Sequence, residues 1–365
     1  MKIAISTGGG DCPGLNAVIR AITKRAIGSY AMEVWGIRDS FNGLMERPYR
    51  VKKLALDDVS DILCRGGTIL GTTNSGNPFS LKKANNNQQS DKSQLVVEAY
   101  KDLGLDCVIV IGGDGTQGIA YQLSQLGINV VGVPKTIDDD LAATDQTVGF
   151  DTAVGIASEA VERLQSTAES HERLMVLEVM GRHAGHIALH AGIAGGANVI
   201  LLPEIPFNYE SIVKKIEVRR KLGRHFSVIV VAEGAHEHGG QPTFVAAASG
   251  TKNLGGIGNC VATELYARTK IETRVTVLGH VQRGGTPSPA DRILASAFGV
   301  HAVDLVKQKK FGQIVALRGR SITAVPYTQV AGKFRPLELD DSLIVTAEGL
   351  GISLGRETTH KQKGD

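Results

Sequence analysis

The sequence predicts an α/β protein made of two doubly wound, Rossmann-like domains, each a mostly parallel sheet flanked by helices. Three observations lead there. The chain has 365 residues, beyond the size at which a single core keeps growing. Short apolar runs alternate with helix-periodic stretches along it. Glycine-rich or polar clusters follow those runs directly, as ligand loops do at the carboxyl ends of parallel strands.

The elements follow in order. "KIAIS" (Lys2 to Ser6) is a short apolar strand, and Val18, Ile19, Ile22 and Ala26 then mark one face of a helix. "CVIVI" and "INVVGV" are runs short enough for strands buried on both faces. Between them "TQGIAYQLSQLG" reads as a helix closed by glycine. A long helix starts near Asp151, with Val154, Ala157, Val161, Leu164 and Ala168 at steps of three and four. "LMVLEV", "NVILLP" and "HFSVIVVAE" continue the rhythm. The amide-rich Lys82 to Gln94 reads as a surface loop, and "RETTHKQKGD" as a frayed tail.

Composition excludes several classes. Apolar residues are 42%, charged residues 21%, and the net charge is +3. That charge is too mild for a nucleic-acid surface but allows basic pockets for small anions. No apolar run approaches the ~20 residues of a membrane span. The N-terminus lacks a signal-peptide pattern, which makes the cytoplasm the expected compartment. Cys12, Cys64, Cys107 and Cys260 have no metal-ligand spacing and read as reduced thiols.

In "VIVIGGDGTQGIA" (Val108 to Ala120) a strand ends in glycines around one carboxylate, Asp114. Glycine lets backbone approach a ligand, and a following helix offers N–H groups to an anion. A carboxylate there suits a magnesium ion held between it and a phosphate. The alternative is a plain tight turn. "STGGGDCPGLNAVIR" is a second glycine loop without a P-loop lysine or dinucleotide spacing, and Asp11 there reads as a turn cap. In "PKTIDDDL" an extended backbone would point Asp138 and Asp140 to one side and Asp139 to the other. Two carboxylates on one side suit a proton acceptor beside a metal or a sugar hydroxyl. A solvated acidic turn is the other reading.

"GGGDCPGLN", "RGGTILGT", "GGDGT", "PKTIDDD", "MGRHAGH" and "GHVQRGG" stand in the order, and at roughly the spacing, of the 6-phosphofructokinase family. The chain resembles that family from about Lys2 to about Lys310. The resemblance implies a donor nucleotide and magnesium domain from residues 1–149 plus 262–312. A sugar-phosphate domain would take 150–261 plus 313–350, with 351–365 as a flexible tail. It implies transfer of the γ-phosphoryl of ATP to the 1-hydroxyl of D-fructose 6-phosphate. Gly10, Phe41, Gly113, Gly115 and Thr116 would bind the donor, although Phe41 reads equally as a core residue. Asp114 would hold Mg2+. Asp138 would be the general base, supported by Thr136 and Asp140. Arg182 would stabilise the transferring phosphoryl group, with Gly10, Thr136 and Lys135 also in the catalytic set. Arg173, Met180, Gly181, Glu233, Arg274, His280 and Arg283 would complete the sugar-phosphate pocket. The equivalents of Arg173 and Arg274 reach a neighbouring subunit's substrate in the family. That implies a homo-oligomer, most plausibly a tetramer with shared sites, and no nucleic-acid or membrane partner.

Three departures stand out. Asn74 occupies a position where many family members carry a phosphate-bridging arginine, and Lys135 is the best-placed substitute cation. Lysine at 135 is typical of pyrophosphate-using members, though it also occurs in some ATP-using branches. Arg20, Lys24 and Arg163 match effector-site residues while Asn198 replaces an acid, so the resemblance covers the site for ADP or phosphoenolpyruvate only in part. The alternatives are a pyrophosphate-dependent phosphotransferase, a catalytically silent sugar-phosphate sensor motivated by Asn74, and a lipid or dinucleotide kinase sharing "GGDGT". The sugar-side motifs argue against the last.

Overall fold

A computed structural model describes residues 1–83, 86–246 and 252–357. In chain order the first elements are β1 (Lys2–Thr7), α1 (Leu15–Tyr30), β2 (Glu33–Ile37), β3 (Val51–Leu54), β4 (Leu81–Lys83) and β5 (Asn86–Ser90). Next come α2 (Ser93–Asp102), β6 (Cys107–Gly112), α3 (Asp114–Gln125), β7 (Val130–Pro134), α4 (Phe150–His171) and β8 (Leu174–Val179). Then follow α5 (His186–Ala194), β9 (Val199–Leu201), α6 (Tyr209–Lys221), β10 (Ser227–Ala232), β11 (Phe244–Ala246) and β12 (Lys252–Leu254). The last are α7 (Ile257–Thr269), β13 (Thr273–Val277), α8 (Pro289–Lys307), β14 (Gln313–Arg318), β15 (Ser321–Pro326) and α9 (Ser342–Gly349).

Packing divides the chain into two units. The first takes Met1–Ile137, Leu141–Thr152 and Arg283–Phe334; the second takes Asp138–Asp140, Ala153–Gln282 and residues from Arg335 onward. In the first unit a sheet runs in the order β15-β14-β7-β6-β1-β2-β3. Its central pairs are parallel, and only the two outermost pairs are antiparallel. β6 is buried at every position, the mark of a strand covered on both faces. Its Val108 and Val110 share a core with Ala4, Leu123, Val130 and Tyr327, each large apolar side chain contributing roughly 1.5–3 kcal/mol on burial. In the second unit the order is β13-β8-β10-β9, all parallel. Leu174, Val176, Val199, Ile229 and Val231 centre its core.

Several expectations need correction. The two sheets are present, but the chain returns to the first unit at Arg283, not at residue 262. The reason is that β13 pairs with β8, and α7 packs on that same sheet. Residues 313–334 belong to the first unit because β14 pairs with β7 and β15 with β14. Asp138–Asp140 go with the second unit. Within the stretch 82–94, read as a loop, Lys82–Lys83 and Asn86–Ser90 belong to the antiparallel pair β4–β5 and α2 begins at Ser93, while residues 84–85 lie outside the described residues. The tail is pinned further along than expected, since Ser353 bonds Asn198 and Ile200, and Leu354 is buried. Residues 358–365 of the predicted tail lie outside the described residues. No helix among the described residues is long and apolar enough to cross a membrane.

Candidate active site

Three loops of the first unit leave the carboxyl ends of the adjacent parallel strands β1, β6 and β7. The chain goes from β1 to one side and returns as β6 on the other, so the β1–β6 boundary is the topological switch where such sheets bind ligands. The loops are tied together by backbone bonds. Gly8 N–H donates to Ile111 at 3.0 Å, Gly9 N–H to Thr73 at 3.1 Å and Lys135 N–H to Gly112 at 3.1 Å. The Thr116 side chain fills the space beside Gly8 and Gly112, where any added Cβ would lie within 3 Å of it. Gln117 anchors the first turn of α3, donating to Val133 and Gly112 and accepting from the buried Tyr327 hydroxyl at 2.9 Å. This leaves Asp114 and Gly115 exposed at the start of α3. A Cβ at Gly115 would meet nothing within 4 Å.

Lys135 is buried, and its ammonium donates to the carbonyls of Gly8, at 3.0 Å, and of Gly10. It therefore props up the first glycine loop from below. Arg283 lies against the other side of that loop: a Cβ on Gly10 would fall 1.7 Å from its Nη1, which donates to Asp11 O at 3.3 Å. A side chain at position 10 would therefore have to displace the Arg283 guanidinium. A cavity of about 830 Å³ opens in the same unit, lined by Asn42, Arg50, Asn74, Ser75, Asn77 and Lys92 among others. It adjoins the glycine loop, because Thr73, next to Asn74, accepts from Gly9 and Thr72 donates to Gly9 O at 2.6 Å.

In the second unit the ends of β8, β10 and β13 meet. Glu233 N–H donates to Val179 at 2.9 Å and Gly234 N–H to Gly181 at 3.1 Å. Gly234 leaves no room for a side chain, since Arg182 O stands 2.1 Å from where a Cβ would be. Gln282, fully buried, accepts from Met180 N–H at 2.8 Å. Met180, Gly181, Arg182, Glu233 and the short 3₁₀ turn carrying His280 thereby follow the carboxyl ends of the strands β8, β10 and β13. Arg173 and Arg274 sit at the amino ends of β8 and β13. Arg173 precedes β8, and Arg274 opens β13 beside Met175. Both guanidiniums are held by Glu272, Arg173 through Nε at 2.7 Å and Arg274 through Nη2. Burial alone would raise the Glu272 carboxyl, but the two arginines outweigh it and hold it below its usual range.

The acidic run is bent, not extended. Asp139 adopts φ +54°, and its buried carboxylate pairs with Arg335. Asp138 and Asp140 are half-buried, so the separation of Asp139 from its neighbours holds for a different reason than strand alternation. Thr136 O accepts from Thr147 Oγ1 at 2.7 Å. Of the two readings open for Phe41, core packing is what the structure shows: the ring is 1% exposed among Ile37, Leu44 and Tyr327. Sequence reasoning missed Glu272, Gln282 and Arg335. Glu272 had a signal, a carboxylate two residues before Arg274 at the start of a strand. Arg335 had none, being 196 residues from its partner. His186, read as an ordinary histidine, is buried; burial pushes it down to about 4. Among the described residues no three His, Cys, Asp or Glu side chains cluster as a metal site.

Comparison with known proteins follows the same lines. A profile described as phosphofructokinase matches residues 2–306. The chain is 49% identical over 357 residues to ATP-dependent 6-phosphofructokinase 1 of Synechocystis sp., covering 98% of this chain and 99% of that protein. It is 51% identical over 338 residues to the pyrophosphate–fructose 6-phosphate 1-phosphotransferase of Amycolatopsis methanolica, covering 92% and 96%. The T-state crystal structure of Pichia pastoris phosphofructokinase superposes with a TM-score of 0.78 at 31% identity, over 90% of this chain and 35% of that longer one. With the family profile spanning most of its length and relatives of similar length aligned over nearly all of it, this chain belongs to the phosphofructokinase family.

Proposed function

We propose that the protein transfers the γ-phosphoryl group of ATP to the 1-hydroxyl of D-fructose 6-phosphate, giving fructose 1,6-bisphosphate and ADP as in glycolysis. One observation carries the reading. The glycine loop at Gly8–Gly10, the Asp114–Gly115 turn and the Lys135–Thr136 segment converge at the switch of a parallel sheet, beside a cavity large enough for a nucleoside. The N–H of Gly10 and the first turn of α3 would face the phosphates. Asp114 fits Mg2+, which is commonly bound by one or two carboxylates plus substrate phosphates rather than an all-protein cage. The ion would neutralise charge on the phosphates. Asp138 would accept the hydroxyl proton, and Arg182 would offset the charge of the transferring group. Met180, Glu233 and His280 would hold the sugar.

The arginine pair supports a site built from two chains. Six strand residues separate Arg173 from Met180, so they stand roughly 20 Å apart. That is farther than one hexose phosphate reaches. A sugar held by Met180 in one subunit would take its 6-phosphate to Arg173 and Arg274 of another, in a homo-oligomer, for which we favour a tetramer.

Pyrophosphate is the second reading, favoured by the buried cation of Lys135 and by the Amycolatopsis relative, which bears that name. Gly115 supports ATP, because the space beside it is open. Phosphate and nucleoside beyond the transferred group need that space. Gly115→Asp tests this. The carboxylate fits the apoprotein without a clash at Cβ, yet it would block and repel an α-phosphate. ATP-dependent turnover should vanish while the fold persists. A variant that uses ATP normally would remove the argument.

A further inference from the structure

Asp138 is followed by a residue in a costly conformation. The left-handed region is disfavoured for a non-glycine residue, least for Asn and Asp. Asp139 holds φ +54° while 4% exposed. One side chain that helps to offset the cost comes from far along the chain. Arg335 donates from Nε to Asp139 O at 3.2 Å, from Nη2 to the same oxygen at 2.8 Å, and from Nη2 to the Asp139 carboxylate. Its own backbone N–H donates to Asp140 O at 2.6 Å. One guanidinium thus grips the carbonyl and the carboxylate of the residue after the base, and its backbone grips the next residue.

The grip is itself anchored. The Arg335 carbonyl faces His186 Nε2 at 3.2 Å, and two residues on, Leu337 N–H donates to the Glu204 carboxylate at 2.9 Å. Glu204 also accepts from Gly185 N–H at 3.0 Å, at the start of α5. The Arg335 segment is therefore fixed to the loop that follows Met180, Gly181 and Arg182. In packing, Asp138–Asp140 are the part of residues 1–152 assigned to the second unit. The four bonds from Arg335 are ties to that unit.

We propose that Arg335 is a positioning residue for phosphoryl transfer: by holding Asp139 in its left-handed turn, it sets where the Asp138 carboxylate stands. The proposal rests on the reading of Asp138 as the base. Removing the guanidinium would take from the buried Asp139 carboxylate the charge that Arg335 supplies. The turn would relax toward solvent and carry Asp138 with it. A displacement of about 1 Å can cost about 10²-fold in rate.

The test uses the full-length protein and steady-state kinetics with ATP and fructose 6-phosphate. Arg335→Met should lower kcat by about 10- to 100-fold, with KM for both substrates changed by about threefold or less. Asp139→Asn, which tolerates the left-handed region, should be mild. The double variant Arg335→Met/Asp139→Asn should recover much of the loss, because the buried carboxylate is removed together with that charge. A merely structural arginine would lower Tm and the folded fraction while leaving kcat per folded site unchanged. A kcat of folded Arg335→Met within twofold of wild type overturns the proposal, as does a double variant no better than the single. Should Arg335→Met not fold, Arg335→Lys keeps the charge without the planar fork; it should show a smaller kcat loss, and an unchanged kcat overturns the proposal equally. Asp138→Asn is measured alongside. If it stays active, the base assignment fails; if it is inactive while the Arg335 variants are not, only the positioning role fails.

Discussion

Lys135→Met probes the support under the first glycine loop. Lys135 is 3% exposed, and its ammonium donates to the carbonyls of Gly8 and Gly10. Methionine keeps the length and removes the charge. A hydrogen bond to a charged group contributes about 1.5–3 kcal/mol, so two set an upper range of about 3–6 kcal/mol. Part of that is offset because a buried ammonium no longer has to be desolvated. A net loss of about 2–3 kcal/mol remains, or a Tm fall of about 5–10 °C for the first unit unfolding on its own and about 3–4 °C for the whole chain unfolding together. The loop that presents Gly10 then loses its prop, so kcat should fall by more than the nucleotide KM rises. Scanning calorimetry and initial-rate kinetics on the same preparation read both effects. A Tm within about 2 °C of wild type, with kcat unchanged, would refute the idea that this cation holds the loop.

Other perturbations test the remaining parts. Asp138→Asn keeps the shape and removes the proton acceptor, so turnover should fall about 10²–10⁴-fold with little change in affinity; turnover within threefold ends its candidacy. Arg173→Ala and Arg274→Ala should mainly raise the KM for fructose 6-phosphate, each removing a charge-assisted phosphate contact. Inactive Arg173→Ala and Asp138→Asn chains, mixed into one oligomer, should regain activity, and no recovery in verified hetero-oligomers would count against a two-chain site. His186, depressed to about 4 mainly by burial, with Arg335 and His190 also lowering it and the Arg335 carbonyl and Asp341 opposing, gives a pH signature. The unfolded chain binds a proton below about 6.5 that the folded chain refuses until about 4. Its contribution, about 3 kcal/mol at most, is complete above pH ~6.5 and lost as pH falls toward 4. The Tm difference between wild type and His186→Gln should therefore change across that window; a constant difference argues that His186 does not stay neutral.

The strands that build the site were readable because burial on both faces writes itself as unbroken apolar runs, as in "CVIVI" and "LMVLEV". The loops were readable for a similar reason: glycine next to a strand end has few uses other than close approach. What was not readable depends on distant partners. Asn86–Ser90 pairs with Leu81–Lys83 through backbone bonds that an amide-rich sequence does not advertise. The return of β14 to β7 is a pairing across about half the chain, and nothing local marks it. Phe41 could be a ligand platform or a core residue on sequence alone; its burial in the cluster that also holds Ile37, Leu44 and Tyr327 is what the structure adds. For the Asp138–Asp140 run the sequence left an extended segment and an acidic turn both open. Arg335, from the far end of the chain, instead turns Asp139 inward.

The central claim concerns the donor and the acceptor together. Purified wild-type protein, given fructose 6-phosphate and magnesium with either ATP or pyrophosphate, should form fructose 1,6-bisphosphate in a coupled assay with ATP far faster than with pyrophosphate. Asp114→Asn and Asp138→Asn should abolish that activity. Product formation that prefers pyrophosphate, or none with either donor, would contradict it.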